Sequence, residues 1–145
     1  MSFKGRILSL DLGRRRVGLA LTDELLISAQ PLPPLEIRGI PDLMKQLFPI
    51  ITQNNVTALV VGRPARLDGS DTHLTCFVDK VKSRLEGEFK LPVYLYDERF
   101  TSKIAQQSIH LAGQKLKDNK KALDSISASI ILSDFLKLHV KKDSD

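Results

Sequence analysis

Three acidic residues in this 145-residue chain stand where chemistry could be done: Asp11, Glu98 and Asp124. Asp11 falls in the apolar run Leu8-Ser-Leu-Asp-Leu12, where a carboxylate is costly unless a cation or hydrogen-bond donors satisfy it. Arg14, Arg15 and Arg16 follow within one turn, and an acid beside clustered cations points to phosphate handling, through a metal or by direct contact. Glu98 comes just after the apolar run at 92–96. Asp124 shares a helical face with Ala128, Ile131 and Phe135, and the small neighbours Ser125, Ser127 and Ser129 would let that helix approach closely. Acids from two strand ends and a helix suit Mg2+ or Mn2+, hard ions that take oxygen ligands and keep several waters. A pair of such ions can activate a water and stabilise the leaving oxygen in phosphodiester hydrolysis. Each residue also has a plainer reading. Glu98 could be a first-turn acid favoured by a helix dipole. Asp124 could cap a helix starting at Ser125. Arg14–Arg16 could be solvated turn residues.

Other chemistries find less support. One cysteine, Cys76, excludes an internal disulfide and a thiolate zinc cluster. His73, His110 and His139 are scattered, with no zinc-ligand spacing. The formal charge of +5 suits a polyanionic partner if the cations gather at one place. No apolar run approaches the roughly 20 residues of a membrane-spanning helix. The opening Met-Ser-Phe-Lys-Gly-Arg runs towards a strand without a signal-peptide apolar region. The expectation is a cytoplasmic protein without membrane contact.

The elements that must position the acids follow from periodicity. Residues 6–12 and 17–22 alternate with period two and are joined by a short turn at Gly13, which predicts an antiparallel hairpin. The first strand is apolar on both faces, as a central strand should be. The second has a bulky face (Val17, Leu19, Leu21) and a small one (Gly18, Ala20, Thr22). Gly18 would leave room beside Asp11. Pro31, Pro33 and Pro34 confine any strand at 27–37 to the sheet edge. Pro41 suits a first helical turn, and Ile40, Leu43, Met44, Leu47 and Ile51 continue with helical spacing. Pro49 should kink that helix or end it early. A buried strand at 57–61 leads to a loop at 62–69. Ser70 or Asp71 would then cap a helix with an apolar stripe from Leu74 to Leu85, which Gly87 would stop. A strand at 92–96 precedes a helix capped by Thr101 or Ser102 and stopped by Gly113. A lysine-rich loop at 114–121, a final helix at 122–139 and a frayed tail at 141–145 complete the chain. We expect one domain over 1–140, of α/β class. Its mixed five-stranded sheet would hold a three-strand antiparallel meander plus two parallel strands, with helices on both faces. Sites in such sheets lie beyond the carboxyl ends of the parallel strands.

Four motifs carry a family resemblance. Asp11-Leu-Gly-Arg-Arg-Arg-Val-Gly-Leu-Ala20, Val61-Gly-Arg-Pro-Ala-Arg-Leu-Asp-Gly-Ser70, Tyr96-Asp-Glu-Arg-Phe-Thr-Ser102 and Lys121-Ala-Leu-Asp-Ser-Ile-Ser-Ala128 resemble, in order and spacing, those of the YqgF family. That family groups candidate pre-16S ribosomal RNA nucleases and is also described as Holliday-junction-resolvase-like. The resemblance spans essentially the whole chain. It implies an RNase H-like fold, cytoplasmic location, metal-dependent cleavage and a role in maturing the 5′ end of small-subunit ribosomal RNA. Asp11, Glu98 and Asp124 fall on the family's acidic site. Arg63 and Arg66 depart from its pattern, standing where apolar or amide residues are more usual, and Pro49 is unexpected in the first helix.

The resulting expectation is a nuclease whose Asp11, Glu98 and Asp124 hold one or two Mg2+ or Mn2+ ions. Arg14, Arg15, Arg16, Arg63, Arg66, Arg99, Lys120 and Lys121 would contact substrate phosphates. Precursor ribosomal RNA is favoured over DNA, and the protein would be a monomer or weak dimer. Three other functions remain open. A Holliday-junction resolvase would use the same site but cut symmetrically as a dimer. A non-catalytic RNA-binding assembly or transcription factor would keep the fold alone. A sugar-kinase or actin type of phosphotransferase also begins with a strand, Asp-Leu-Gly and a hairpin, but needs two such domains around its nucleotide.

Overall fold

The period-two alternation of the first two strands is realised in the computed structural model, which describes residues 4–63, 74–97 and 120–139, with side chains of the last segment from 125 onward. Strand β1 (Arg6–Leu12) and strand β2 (Arg16–Thr22) form an antiparallel hairpin. Strand β3 (Ala29–Glu36) adds antiparallel to β2. Helix α1 (Ile40–Gln53) crosses to β4 (Val56–Arg63), which lies parallel to β1. Helix α2 (Thr75–Phe89) crosses to β5 (Val93–Asp97), parallel to β4. Helix α3 (Lys120–His139) comes last among the described elements. The sheet order β3-β2-β1-β4-β5 is the expected meander extended by two parallel strands, with β1 at its centre.

Each face of the sheet has its own core. Leu8, Leu10 and Leu12 of β1 point with Val17, Leu19 and Leu21 towards Leu43 and Leu47 of α1 and Val78, Val81 and Leu85 of α2. The alternate residues Ile7, Ala20, Ala58, Val60 and Tyr96 meet Ala128, Ile131, Leu132, Phe135 and Leu136 of α3. The small face of β2 is therefore the one that receives α3. Ser9 is fully buried there, and its hydroxyl donates to the Ala128 carbonyl at 2.7 Å.

The prolines of β3 sit as the edge position requires. Val17 pairs with Leu35 and Leu19 with Leu32, so β3 carries one residue more than β2 between those pairs. That bulge holds Pro33 and Pro34, which lack the N–H a regular ladder would use.

Several element ends differ from expectation. Pro49 lies inside α1 without ending it. The carbonyl it leaves without an intrahelical partner belongs to Lys45, four residues earlier, and both residues are exposed, so water can serve it. Gly87 lies within α2, which continues to Phe89 and is closed by Lys90 in the left-handed conformation (φ 54°). That helix has Leu74, not Ser70 or Asp71, at its N-cap position. Gly62 and Arg63 belong to β4 and not to the following loop. Helix α3 begins at Lys120, two residues before its expected start, so Lys120 and Lys121 are helical. The rest of the 62–69 and 114–121 loops, the helix expected between Thr101 and Gly113, and the tail at 141–145 lie outside the described residues. Among the described residues no helix is long and apolar enough to cross a membrane.

Candidate active site

Asp11 is half-buried, next to last in β1, and stands in register with Gly18 of β2. Alternation along β1 puts it on the same face as Ile7 and Ser9, the face covered by α3. A glycine as direct cross-strand neighbour places no side chain directly opposite the carboxylate, and the next β2 residue on that face is Arg16, on the diagonal. On the other flank, Leu10 pairs with Val61 and Val61 with Leu95, so Asp11, Gly62 and Tyr96 share one level across three parallel strands.

Helix α3 is pinned across this edge. The Ser125 hydroxyl donates to the Leu32 carbonyl on β3, and Ser9 of β1 donates to the Ala128 carbonyl. Further along, the Tyr96 hydroxyl donates to Asp134 Oδ2 at 3.1 Å, and Tyr94 packs against Phe135 with ring centroids 5.5 Å apart. The helix thus enters over β3, crosses β1 and ends over β5. Asp124 is in its second turn, one residue before the first of these anchors and one helical turn before the second. An N-cap role for Asp124 is excluded, because the helix begins four residues earlier.

Burial first, and then the charge of Asp134, push the Tyr96 phenol up to about 12. Tyr96 is therefore a neutral hydrogen-bond donor at any physiological pH, locking the helix of Asp124 to the strand that runs into Glu98. Glu98, Arg66 and Arg99 lie outside the described residues, as do the side chains of Lys120, Lys121 and Asp124.

The arginines gather at a different place. The Gly13 N–H donates to the Arg16 carbonyl at 2.9 Å, closing a turn in which a Cβ on Gly13 would come 2.8 Å from that same oxygen. The Ile37 N–H donates to the Arg15 carbonyl at 2.8 Å, tying the turn to the corner between β3 and α1. Between turn and corner opens a cleft of about 910 Å³ lined by Arg14, Arg15, Arg16 and Arg38, together with Glu36, Ile37, Gly39 and Asp42. Gly39 adopts φ 125°, a conformation that favours glycine, and starts α1 at the cleft floor. Asp42 Oδ2 accepts from the Arg38 backbone N–H at 2.9 Å and from Gln46 Nε2 at 3.1 Å, so this carboxylate ties the chain before α1 to its first turn. The Arg14 guanidinium lies 5.6 Å from the Phe77 ring centroid, on the α2 side. Arg63 Nε likewise reaches Asp79 of α2 at 3.4 Å.

Arg14, Arg15 and Arg16 are therefore brought together as expected, and Arg63 is turned towards α2. Sequence reasoning missed Arg38 and the Tyr96–Asp134 pair. The Arg38-Gly39 step just before the helix-opening Pro41 marked a corner, but nothing in the linear order placed it against the β1–β2 turn.

Comparison with known proteins places these features in a lineage. Residues 5–138 match the family described as RuvX, Holliday junction resolvase. A candidate pre-16S rRNA nuclease of Koribacter versatilis is 42% identical over 91% of this chain and 86% of its own length. One from Maridesulfovibrio salexigens is 38% identical over 90% of this chain and 97% of its own. Among solved structures, Thermus thermophilus RuvC in complex with a Holliday junction substrate superposes with a TM-score of 0.61 at 10% identity, covering 93% of this chain and 96% of that one. The fowlpox virus Holliday junction resolvase gives 0.54 at 16% identity, covering 92% and 98%. The fold is thus the RNase H-like fold of the RuvC resolvases.

Proposed function

The chain belongs to the RuvX family, and from that premise we propose that it is a metal-dependent endonuclease acting on precursor 16S ribosomal RNA in the cytoplasm. The observation that carries this reading is the placing of Asp11. It stands at the carboxyl edge of the parallel strands, faces the helix that bears Asp124, and has glycine as its cross-strand neighbour.

The residues fit a divalent cation. Asp11, Glu98 and Asp124 would supply an all-oxygen donor set, and Gly18, the direct cross-strand neighbour of Asp11, carries no side chain. Mg2+ or Mn2+ held by these three acids would supply Lewis acidity at the phosphoryl oxygens and activate the attacking water. The chain's own residues do the rest. Ser9 and Ser125 hold α3 against the sheet, so that the helix bearing Asp124 covers the face on which Asp11 stands. Tyr96, kept protonated, holds the same helix to β5 through Asp134. Arg14, Arg15 and Arg16 neutralise backbone phosphates of the bound nucleic acid at the β1–β2 turn, and Arg99, Lys120 and Lys121 are the further candidates for that work.

A second reading draws on the family description itself: the same acids would cut a four-way DNA junction. Symmetric cutting there requires two copies of the site, so a dimer would accompany it.

One experiment tests both. The purified chain is offered ribosomal RNA precursor, generic single-stranded RNA and a four-way DNA junction, with and without Mg2+ or Mn2+. Cleavage of the precursor that needs the metal is the expected result. The Asp11→Asn variant should keep the circular dichroism spectrum of the parent and lose cleavage by roughly a hundredfold or more, the scale of losing a charge-stabilising group in an active site. Undiminished cleavage by that variant would remove Asp11 from the site. Cutting of the junction alone would favour the second reading.

A further inference from the structure

Much of the arginine cleft lies on the far side of the sheet from the acidic edge, with Arg16 at the boundary, since alternation along β2 puts it on the face of Gly18 and Asp11. Asp11 faces α3, with Ile7 and Ser9. The cleft is closed by the first turn of α1, which packs on the other face, and Arg14 lies over Phe77 of α2 on that same side. Neighbouring layers of such folds lie roughly 10 Å apart. A phosphodiester being cut beside Asp11 is therefore not the group that Arg38 reaches.

We propose that this cleft binds the phosphodiester backbone of a nucleic-acid segment other than the one being cut, so that the substrate passes around the edge of the sheet. The inference rests on the nuclease reading and names the chemistry of a further subsite for its substrate.

Four arginines line the cleft against two acidic residues. Asp42 is already engaged by the Arg38 N–H and by Gln46. The guanidinium fork matches the paired oxygens of a phosphodiester, and it is favoured wherever planar anions are recognised. Helix α1 adds the positive end of its dipole at the same spot, with Gly39 letting the backbone come close. The site is built and not incidental. The turn is tied to the corner by the Ile37–Arg15 backbone hydrogen bond, so the two sides of the cleft are held in fixed relation.

The test reads binding alone. All proteins carry Asp11→Asn, so that the probes stay intact. A fluorescein-labelled RNA hairpin and a labelled four-way DNA junction are titrated by fluorescence anisotropy over a range of potassium chloride concentrations. Arg38 is exposed, and its backbone bond to Asp42 survives side-chain removal. Arg38→Ala should weaken binding about tenfold and lower the slope of log affinity against log salt by about 0.9 for each phosphate no longer neutralised. Arg38→Glu should weaken it further. Arg84→Ala removes an exposed arginine of α2 that does not line the cleft, and it should do neither. The probe whose binding weakens identifies which backbone, RNA or DNA, the cleft takes. The proposal is overturned if the Arg38 variants behave like Arg84→Ala, or if neither probe binds. A chain that binds through Arg38 but cuts no nucleic acid would retain the cleft and discard the nuclease. A chain that cuts without any dependence of binding on Arg38 would do the reverse.

Discussion

Tyr96 is a small device with a measurable signature. Its hydroxyl donates to Asp134 from a buried position, and burial together with that carboxylate raises the phenol to about 12 from its ordinary 10.0. The folded value lies above the unfolded one, so the stabilisation is complete below pH 10.0 and disappears as pH climbs towards about 12. Tyr96→Phe should cost about 1 kcal/mol near neutrality, the net worth of such a hydrogen bond. The gap between parent and variant in urea melts should narrow at about pH 11, where the unfolded tyrosine is ionised. A gap that stayed constant across that range would mean the hydroxyl contributes nothing as a donor. At this scale the sequence was partly legible. An acid inside Leu8-Ser-Leu-Asp-Leu12 contradicts its apolar surroundings, and the contradiction marks Asp11. The Tyr96–Asp134 bond spans 38 residues of sequence, and neither partner is out of place locally, so no linear signal announces the pair.

Elements were legible where periodicity dominates and illegible where packing overrides a local rule. The alternation of β1 and β2 predicted both their faces and their partners. Gly87 promised a helix stop, yet α2 runs past it to Phe89 because Phe89 and Leu91 pack against the core and carry the chain along. The stop is made by Lys90, which accepts a left-handed conformation unfavourable for a residue with a side chain. Gly87 thus occupies an exposed helical interior, and a Cβ added there meets nothing within 4 Å. Gly87→Ala should stabilise the fold by about 0.5–1 kcal/mol, chiefly by restricting the unfolded chain. Thermal denaturation should show a rise of a few degrees. A fall would mean that the helix needs the freedom of glycine at that position. Pro49 misled in the same way: the rule that proline ends helices concerns an unmet carbonyl, and at exposed Lys45 water meets it.

At the scale of the molecule, the antiparallel meander and the two parallel crossovers followed from connection lengths and handedness, which are legible in sequence, whereas the placing of β4 between β1 and β5 did not. Nor was the division of labour between the two faces legible. The sequence showed arginines beside Asp11 along the chain. In three dimensions the turn carries Arg14 to the α2 side, over Phe77, while Arg16 keeps the face of Asp11. The same architecture predicts a gradient of stability. Central β1 and β4 are buried on both faces, whereas β3 is an edge strand with three prolines and largely exposed side chains. Native-state hydrogen exchange should find the slowest amides in β1 and β4 and the fastest ladder amides in β3. Equal protection across the sheet would contradict that ordering.

The crossing of α3 over the sheet has a further consequence, in time. A ribosome makes all five strands before it makes residues 125–136. Until then, none of the other described elements covers Ile7, Ala20, Ala58 and Val60, and the helix that bears Asp124 does not exist. Among the described elements, that side of the sheet finds its cover only when α3 is made. The step that hides this side is the same step that delivers the helix of Asp124 to the face of Asp11. On the nuclease reading, the covering of this face and hydrolytic competence arrive together, late in synthesis.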